Sequence, residues 1–379
     1  MERILKYYIF DGRFYRWNIG PYQPSWVIDS IIYELAAIPT LRDISLNYLK
    51  YSSHTGNLDA FSNLHKIRVQ VASFGPTNNV TLELGKLLAQ CPGLTELDIS
   101  IDIEDNMSQL FQFLDQTGKT LSLRHLRMDR VRASPDCLKL AIGNLRSLQS
   151  LHIHRFSSIG MVSGATIWDI LRKERIYIQN LSTDVADDSL LRYLSSFHGL
   201  RKFSIIIGYW SLQFDLITIL QIMISHHAET LTELSMIAGS ERQISDLTLS
   251  ENLINLLSSV KNLQYFGLQL GDVPCYIPII VSVFCNSQHI LFIALTGSQG
   301  SIIQTCTKIF PKLQRLVFHT PRMAWYPQHT FSLPTTIVHD AITQYRLDDP
   351  SVNPFEIECE GRVYLPRQDE TTGTFSYIT

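Results

Sequence analysis

The residues best suited to chemistry are the two histidines of LHIH at positions 151–154. Side chains on a β-strand alternate between its faces, so Leu151 and Ile153 point one way and His152 and His154 the other. A neighbouring strand drawn from LRHLRM (123–128) would bring Arg127 and Asp129 beside them. Two imidazoles and one carboxylate form a ligand set that Zn2+ or a similar ion accepts. Exposed strand histidines are more often solvated or hydrogen-bonded groups, and neither a metal nor any other cofactor is assigned from the sequence. His226 and His227 fall at an expected helix end, where they would complement the negative end of the dipole. DVADDS (184–189) is expected to cap a helix beginning near Leu190 with acidic side chains. GxxxxGK[ST], GxGxxG, HExxH and GxSxG are all absent, which removes the better-specified phosphate, metal and hydrolase signatures. No catalytic residue is assigned, and the chain is read as not an enzyme.

The elements that would hold these residues repeat along the chain. The template LxxLxL, with conservative replacements, occurs ten times, starting at residues 41, 64, 94, 123, 148, 200, 231, 263, 290 and 313. Successive starts lie 23 to 32 residues apart except for one gap of 52, which divides into two units with a degenerate copy near Ile176–Leu181. A period in this range marks a repeat array. Between copies, apolar residues return at helical spacing: Val27, Ile31, Ile32 and Leu35; Leu84, Leu87 and Leu88; Leu110, Phe111 and Leu114; Leu190, Leu191 and Leu194; Leu253, Leu256 and Leu257; Ile302, Ile303 and Cys306. Neither strand nor helix can bury its apolar side alone, so each unit must stack on the next. The expected fold is α/β: a leucine-rich-repeat solenoid or horseshoe, with parallel strands on the concave face and helices on the convex face.

Composition is compatible with this and argues against several functions. With 45% hydrophobic and 18% charged residues, the chain has enough apolar material for a continuous core. Its net charge of -3 and pI near 6.5 supply no broad attraction for nucleic acid or an anionic membrane, and neither is expected as a partner. The six cysteines are scattered without CxxC pairs, which suits reduced thiols in a cytoplasmic or nuclear protein. No signal peptide is recognisable at the N-terminus. Ile205–Ile224 and Tyr276–Leu295 are long enough to cross ~30 Å of hydrocarbon. Each nevertheless covers a junction between an expected strand and an expected helix, so burial inside the repeat explains both.

The phrases CPGLTELDIS (91–100), NLRSLQSLHI (144–153), HAETLTELSM (227–236), VKNLQYFGL (260–268) and FPKLQRLVF (310–318) carry a resemblance. They resemble the ribonuclease-inhibitor-like repeats that follow the F-box in fungal F-box/leucine-rich-repeat proteins, over roughly residues 25–320. The resemblance implies a protein-interaction module that recognises substrates for an SCF-type ubiquitin ligase. It also implies docking through a Skp1-type adaptor, which is doubtful here because no F-box is recognisable before the first repeat. An intracellular scaffold with no ubiquitin connection is the alternative.

Within each repeat, the third, fifth and seventh positions of LxxLxLx would face the concave side. In the first five copies these are polar and of mixed charge, from Asp43, Ser45 and Asn47 to Ser150, His152 and His154. In later copies Ile206, Ile237, Tyr265, Phe292 and Val317 would form an exposed apolar patch, joined by Gln269 and Arg315, and this is the expected protein-binding site. Domain boundaries are expected at 1–40 for an aromatic-rich N-terminal cap and first helix, and at 41–320 for about eleven irregular repeats. Residues 321–379 are expected to form a C-terminal cap and polar tail. In that cap Trp325, Tyr326, Phe331 and FEIECE (355–360) would cover the last repeat, and the final dozen residues would be mobile.

Overall fold

The computed structural model describes residues 14–19, 25–48, 57–71, 78–101, 107–129, 135–154, 167–207, 216–238, 256–269, 312–319, 342–343, 346–347, 354–359 and 362–379. The chain packs as two compact units, Met1–Asn180 and Leu181–Thr379.

The first unit is a parallel sheet whose strands follow chain order: β1 (Phe14–Ile19), β2 (Asp43–Tyr48), β3 (Lys66–Val71), β4 (Glu96–Ile101), β5 (His125–Asp129) and β6 (Ser150–His154). Helices connect most of them: α1 (Ser25–Ala36), α2 (Asn78–Gln90), α3 (Met107–Gln116) and α4 (Pro135–Leu145), followed by α5 (Ile167–Lys173). The degenerate copy expected near Ile176–Leu181 is present as β7 (Asn180–Thr183), with Ile176, Ile178 and Leu181 buried.

In the second unit, α6 (Asp188–Leu194) and α7 (Leu216–His227) accompany the parallel strands β8 (Lys202–Ile207), β9 (Glu233–Ala238), β10 (Tyr265–Gln269), β11 (Arg315–His319) and β13 (Glu356–Cys359). Three more strands then reverse direction: β14 (Arg362–Gln368) pairs antiparallel with β13, β15 (Phe375–Ile378) with β14, and the two-residue β12 (Arg346–Leu347) with β15. Both units therefore show the leucine-rich-repeat architecture of stacked strand and helix.

Burial follows the template. Leu94, Leu97 and Ile99 are buried, and so are Leu123, Leu126 and Met128 and then Leu148, Leu151 and Ile153. Leu84, Leu87 and Leu88 of α2 and Leu110, Phe111 and Leu114 of α3 supply the helical side of the core. α2 packs against α3 and α3 against α4. Gly85 permits the first of these contacts, since a Cβ there would lie 3.2 Å from Cβ of Phe113.

One backbone arrangement recurs along both units. The carbonyl of the second template residue accepts from two consecutive amides of the next repeat. Arg42 O takes His65 N and Lys66 N at 2.7 and 3.1 Å; His65 O takes Thr95 N and Glu96 N; Thr95 O takes Arg124 N and His125 N; Arg124 O takes Gln149 N and Ser150 N. In the second unit Arg201 O, Thr232 O and Gln264 O do the same, the last for Gln314 N and Arg315 N.

β10 is bonded directly to β11, with Tyr265 opposite Arg315. ILFIAL (290–295), the second possible membrane stretch and the expected helix at Ile302–Cys306 lie outside the described residues, as do Trp325, Tyr326 and Phe331. The first possible membrane stretch divides into β8 and α7 as expected, and among the described residues no helix is long and apolar enough to cross a membrane.

The C-terminal segment also differs from expectation. FEIECE adds β13 to the parallel ladder, and the final residues form β14 and β15 with Tyr364 and Tyr377 buried at 2% exposure each. Cross-strand pairing and these two aromatics anchor residues that looked polar and loose.

Local capping matches the sequence at α6: Asp187 is the N-cap, and its Oδ1 accepts from Leu190 N at 2.8 Å and from Ser189 Oγ at 2.5 Å. His227 does end α7, but it acts by hydrogen bonding and not by charge. Its Nε2–H donates to Leu194 O at 3.0 Å and its Nδ1 accepts from Leu200 N at 3.3 Å. Burial pushes this imidazole from 6.5 down to about 4; the bond to Leu194 O opposes the shift, and His226 and His198 add to it. Because the unfolded chain binds this proton more readily, the contribution of His227 is complete above pH 6.5 and is lost as the pH falls to about 4. The stability deficit of His227→Ala relative to the native chain is expected to be largest at pH 7 and to narrow through this window in denaturant melts. A deficit independent of pH would refute the neutral bridging role. Deleting residues 321–379 removes β13 and leaves the edge of β11 unpaired, so the truncated chain should aggregate; a soluble, cooperatively melting product would count against it.

Candidate functional site

The face of each sheet away from its buried leucines carries side chains in register, so equivalent template positions form rows across the strands. In the first unit the third-position row runs Asp43, Lys66, Glu96, His125 and Ser150, and the fifth runs Ser45, Arg68, Asp98, Arg127 and His152. Charges alternate along the rows, and neighbours close into ion pairs: Lys66 Nζ to Glu96 Oε2 at 2.6 Å, Arg68 Nε to Asp98 Oδ2 at 2.7 Å, and Arg127 Nε to Asp98 Oδ1 at 3.8 Å. Ser45 and Asn47, expected on the open face, are buried. The unexpected β1 pairs beyond them, so β2 is an interior strand.

His152 and His154 share the face as their spacing requires. His152 Nε2 and His154 Nδ1 are 3.1 Å apart, and the ring centroids are separated by 3.8 Å. Asp129 stands opposite His154 and Arg127 opposite His152. Burial, and then the Arg127 charge, push His152 down to about 4, with Asp98 opposing.

The second unit repeats the alternating row. Lys202 pairs with Glu233 at 2.5 Å, Tyr265 follows, and Arg315 pairs with Glu356 at 2.6 Å and with Glu358 at 3.4 Å. Tyr265 is half-buried between these pairs, and its phenol holds its proton more tightly than usual because of burial and then Glu358 and Glu233, with Arg315 opposing.

Only part of the expected apolar patch falls among the described residues. Ile206 and Tyr265 are half-buried on the open face. Ile237 and Gln269 lie on β9 and β10, but their side chains fall outside the described residues, as does Phe292 altogether. Val317 is buried at 5% exposure and not open to solvent. It sits between Gly267 and Glu358 in the register, and the Arg315 guanidinium reaches past it to Glu358. Arg315 is thus committed to two carboxylates. Glu356 and Glu358 lie in FEIECE, which was expected only to cover the last repeat, and nothing local marked them as neighbours of Arg315 across 41 and 43 residues.

Little else in the described residues favours catalysis. No group of three His, Cys, Asp or Glu side chains converges as a metal centre would. An open groove of about 770 Å³ in the second unit is lined by Gln264, Lys312, Gln314, Pro354, Phe355 and Glu356 among others, and Lys312 Nζ is bound to Asn262 Oδ1 at 2.7 Å. Cys91 is buried with its thiol against Phe61 O, and burial raises its pKa, so it is a core group and not a nucleophile.

No known family profile matches this chain, and no curated protein matches it. Among solved structures, a chain of the yeast Rad7–Elc1 complex is similar over 79% of this chain and 69% of that one, with 16% identity and a TM-score of 0.41. A likeness this distant bears on neither partner nor activity.

The burial of Val317 gives a direct check. Val317→Ala should cost about 1–2.5 kcal/mol of stability, whereas Ile206→Ala should cost less. Equal losses in chemical denaturation would contradict the different environments of the two side chains.

Proposed function

We propose that the chain is a noncatalytic protein-interaction module that binds its partner on the open sheet face, with Tyr265 as an anchor in the second unit. The observation that carries this reading is the placement of Tyr265 between the Lys202–Glu233 and Arg315–Glu356 ion pairs. Tyrosine is enriched among the few residues that carry most of the binding energy at protein interfaces. The ion pairs themselves are partly exposed and add little stability, about 0–1 kcal/mol each, so their pattern is available for recognition. Ile206, Ile237 and Gln269 are the neighbouring candidates, and a cytoplasmic or nuclear location suits such a module.

A finer reading makes this partner a substrate presented to an SCF-type ubiquitin ligase. It rests on the resemblance of the repeat phrases to fungal F-box/leucine-rich-repeat proteins. Recovery of a Skp1-type adaptor with the full chain would support it. Recovery of other specific partners without that adaptor would favour a scaffold with no ubiquitin connection.

Affinity purification of the native chain and of Tyr265→Ala, compared by mass spectrometry, tests the common core of both readings. The substitution should weaken partner binding by about 2 kcal/mol with little change in melting temperature. Undiminished recovery of every partner, or unfolding of the variant, would remove Tyr265 from the interface.

A further inference from the structure

We propose that the hairpin of β14 and β15 holds an extended segment of the partner in which an aliphatic and an acidic side chain stand two residues apart. The inference rests on the reading that the partner lies on the open face of the second unit. The register carries that face onto the hairpin. Val317 stands opposite Glu358, and Glu358 opposite Val363. Val363 and, two residues on, Leu365 therefore share the side that bears Arg315, Glu356 and Glu358. Leu365 in turn stands opposite Ile378. Tyr364 and Tyr377, which alternate with these residues, are buried on the other side.

Val363, Leu365 and Ile378 are 37%, 48% and 43% exposed. Adjacent aliphatic side chains left open to solvent form a patch that a partner gains by covering. Leu365 and Pro366 also line the open groove, together with Gln264, Gln314 and Glu356, so there is room beside Leu365 for an incoming side chain.

Arg367 adds the charge. It is exposed on the same face as Leu365, and among the described residues its guanidinium meets no carboxylate; the bond it receives, from Ser376 Oγ at 3.5 Å, ends on its backbone carbonyl. Asp369 is held in the turn, where its Oδ1 accepts from Thr371 N and Thr372 N. Lys202 and Arg315 on this face are already paired, whereas Arg367 is open to a carboxylate from outside. Leu365 and Arg367 stand about 6.6–6.8 Å apart along the strand, the spacing of like-facing side chains in any extended chain. An aliphatic group on Leu365 and a carboxylate on Arg367 thus match positions i and i+2 of one extended segment. A second copy of this chain is a poorer occupant, because three side chains fall far short of the ~800 Å² per partner that a stable dimer buries.

The test pans a random phage-displayed peptide library against the immobilised full chain and measures the enriched peptides by fluorescence anisotropy. They should carry an aliphatic and an acidic residue two positions apart. Leu365→Ser, an exposed position whose variant should melt as the native chain does, should weaken them by about tenfold or more. Arg367→Glu, panned afresh, should select a basic residue where the native chain selects an acidic one. Tyr265→Ala, run in parallel, separates this inference from the reading beneath it. Peptides lost in Tyr265→Ala but kept by both hairpin variants uphold the open face and overturn the hairpin; the reverse pattern upholds the hairpin and counts against Tyr265 as an anchor. Failure to enrich any peptide, enrichment without the aliphatic–acidic pair, or native affinity in either hairpin variant also overturns the proposal.

Discussion

A single carbonyl shared by two amides recurs between successive repeats and sets their alignment. A parallel strand that slipped by one residue would turn its leucines outward and its charges inward. The paired bonds to Arg42 O, His65 O, Thr95 O and Arg124 O hold each new strand at its second and third template residues before the ladder proper begins. Third positions then face third positions, and fifth face fifth. The charge rows follow from this: Lys66 meets Glu96, and Arg68 meets Asp98, because their backbones were aligned upstream. The same alignment places Tyr265 between Glu233 and Arg315.

What the sequence made legible was the part of the fold written locally. LTELDI announces its own buried and open positions, and Asp187 announces the start of α6, because the groups that answer each signal lie within a few residues. β1 was missed since FYRWNI carries no leucine template and its only described partner is β2. β14 was missed because Pro366 lacks an amide donor and VYLPRQ reads as broken, although its partner Tyr377 is buried opposite. Val317 looked exposed because the residues that enclose it are Gly267, fifty positions upstream, and Glu358, forty-one downstream. The histidine pair was legible as a shared face, whereas the distance between its nitrogens was not.

The two kinds of side chain on each strand have separate duties. Burial of a leucine or isoleucine is worth about 1.5–3 kcal/mol, and these positions are nearly uniform from one repeat to the next. The half-exposed ion pairs contribute far less, so the fold places little demand on which charges they use. Residue identities on that face can differ between repeats without cost to the core, and the difference between a row of charges, a histidine pair and a tyrosine is available for recognition.

The reversal at β14 has a further consequence. A parallel repeat ladder is in principle an open polymer, because the edge of its last strand offers the same amides and carbonyls that every internal strand uses. A second molecule could add there as readily as one more repeat. By turning back through β14 and β15 and ending on the two-residue β12, the second unit replaces a long parallel edge with a short antiparallel one, which gives an incoming strand almost nothing to pair with. Among the described residues, the edge at that end is the two-residue β12 and not another parallel strand of the repeat.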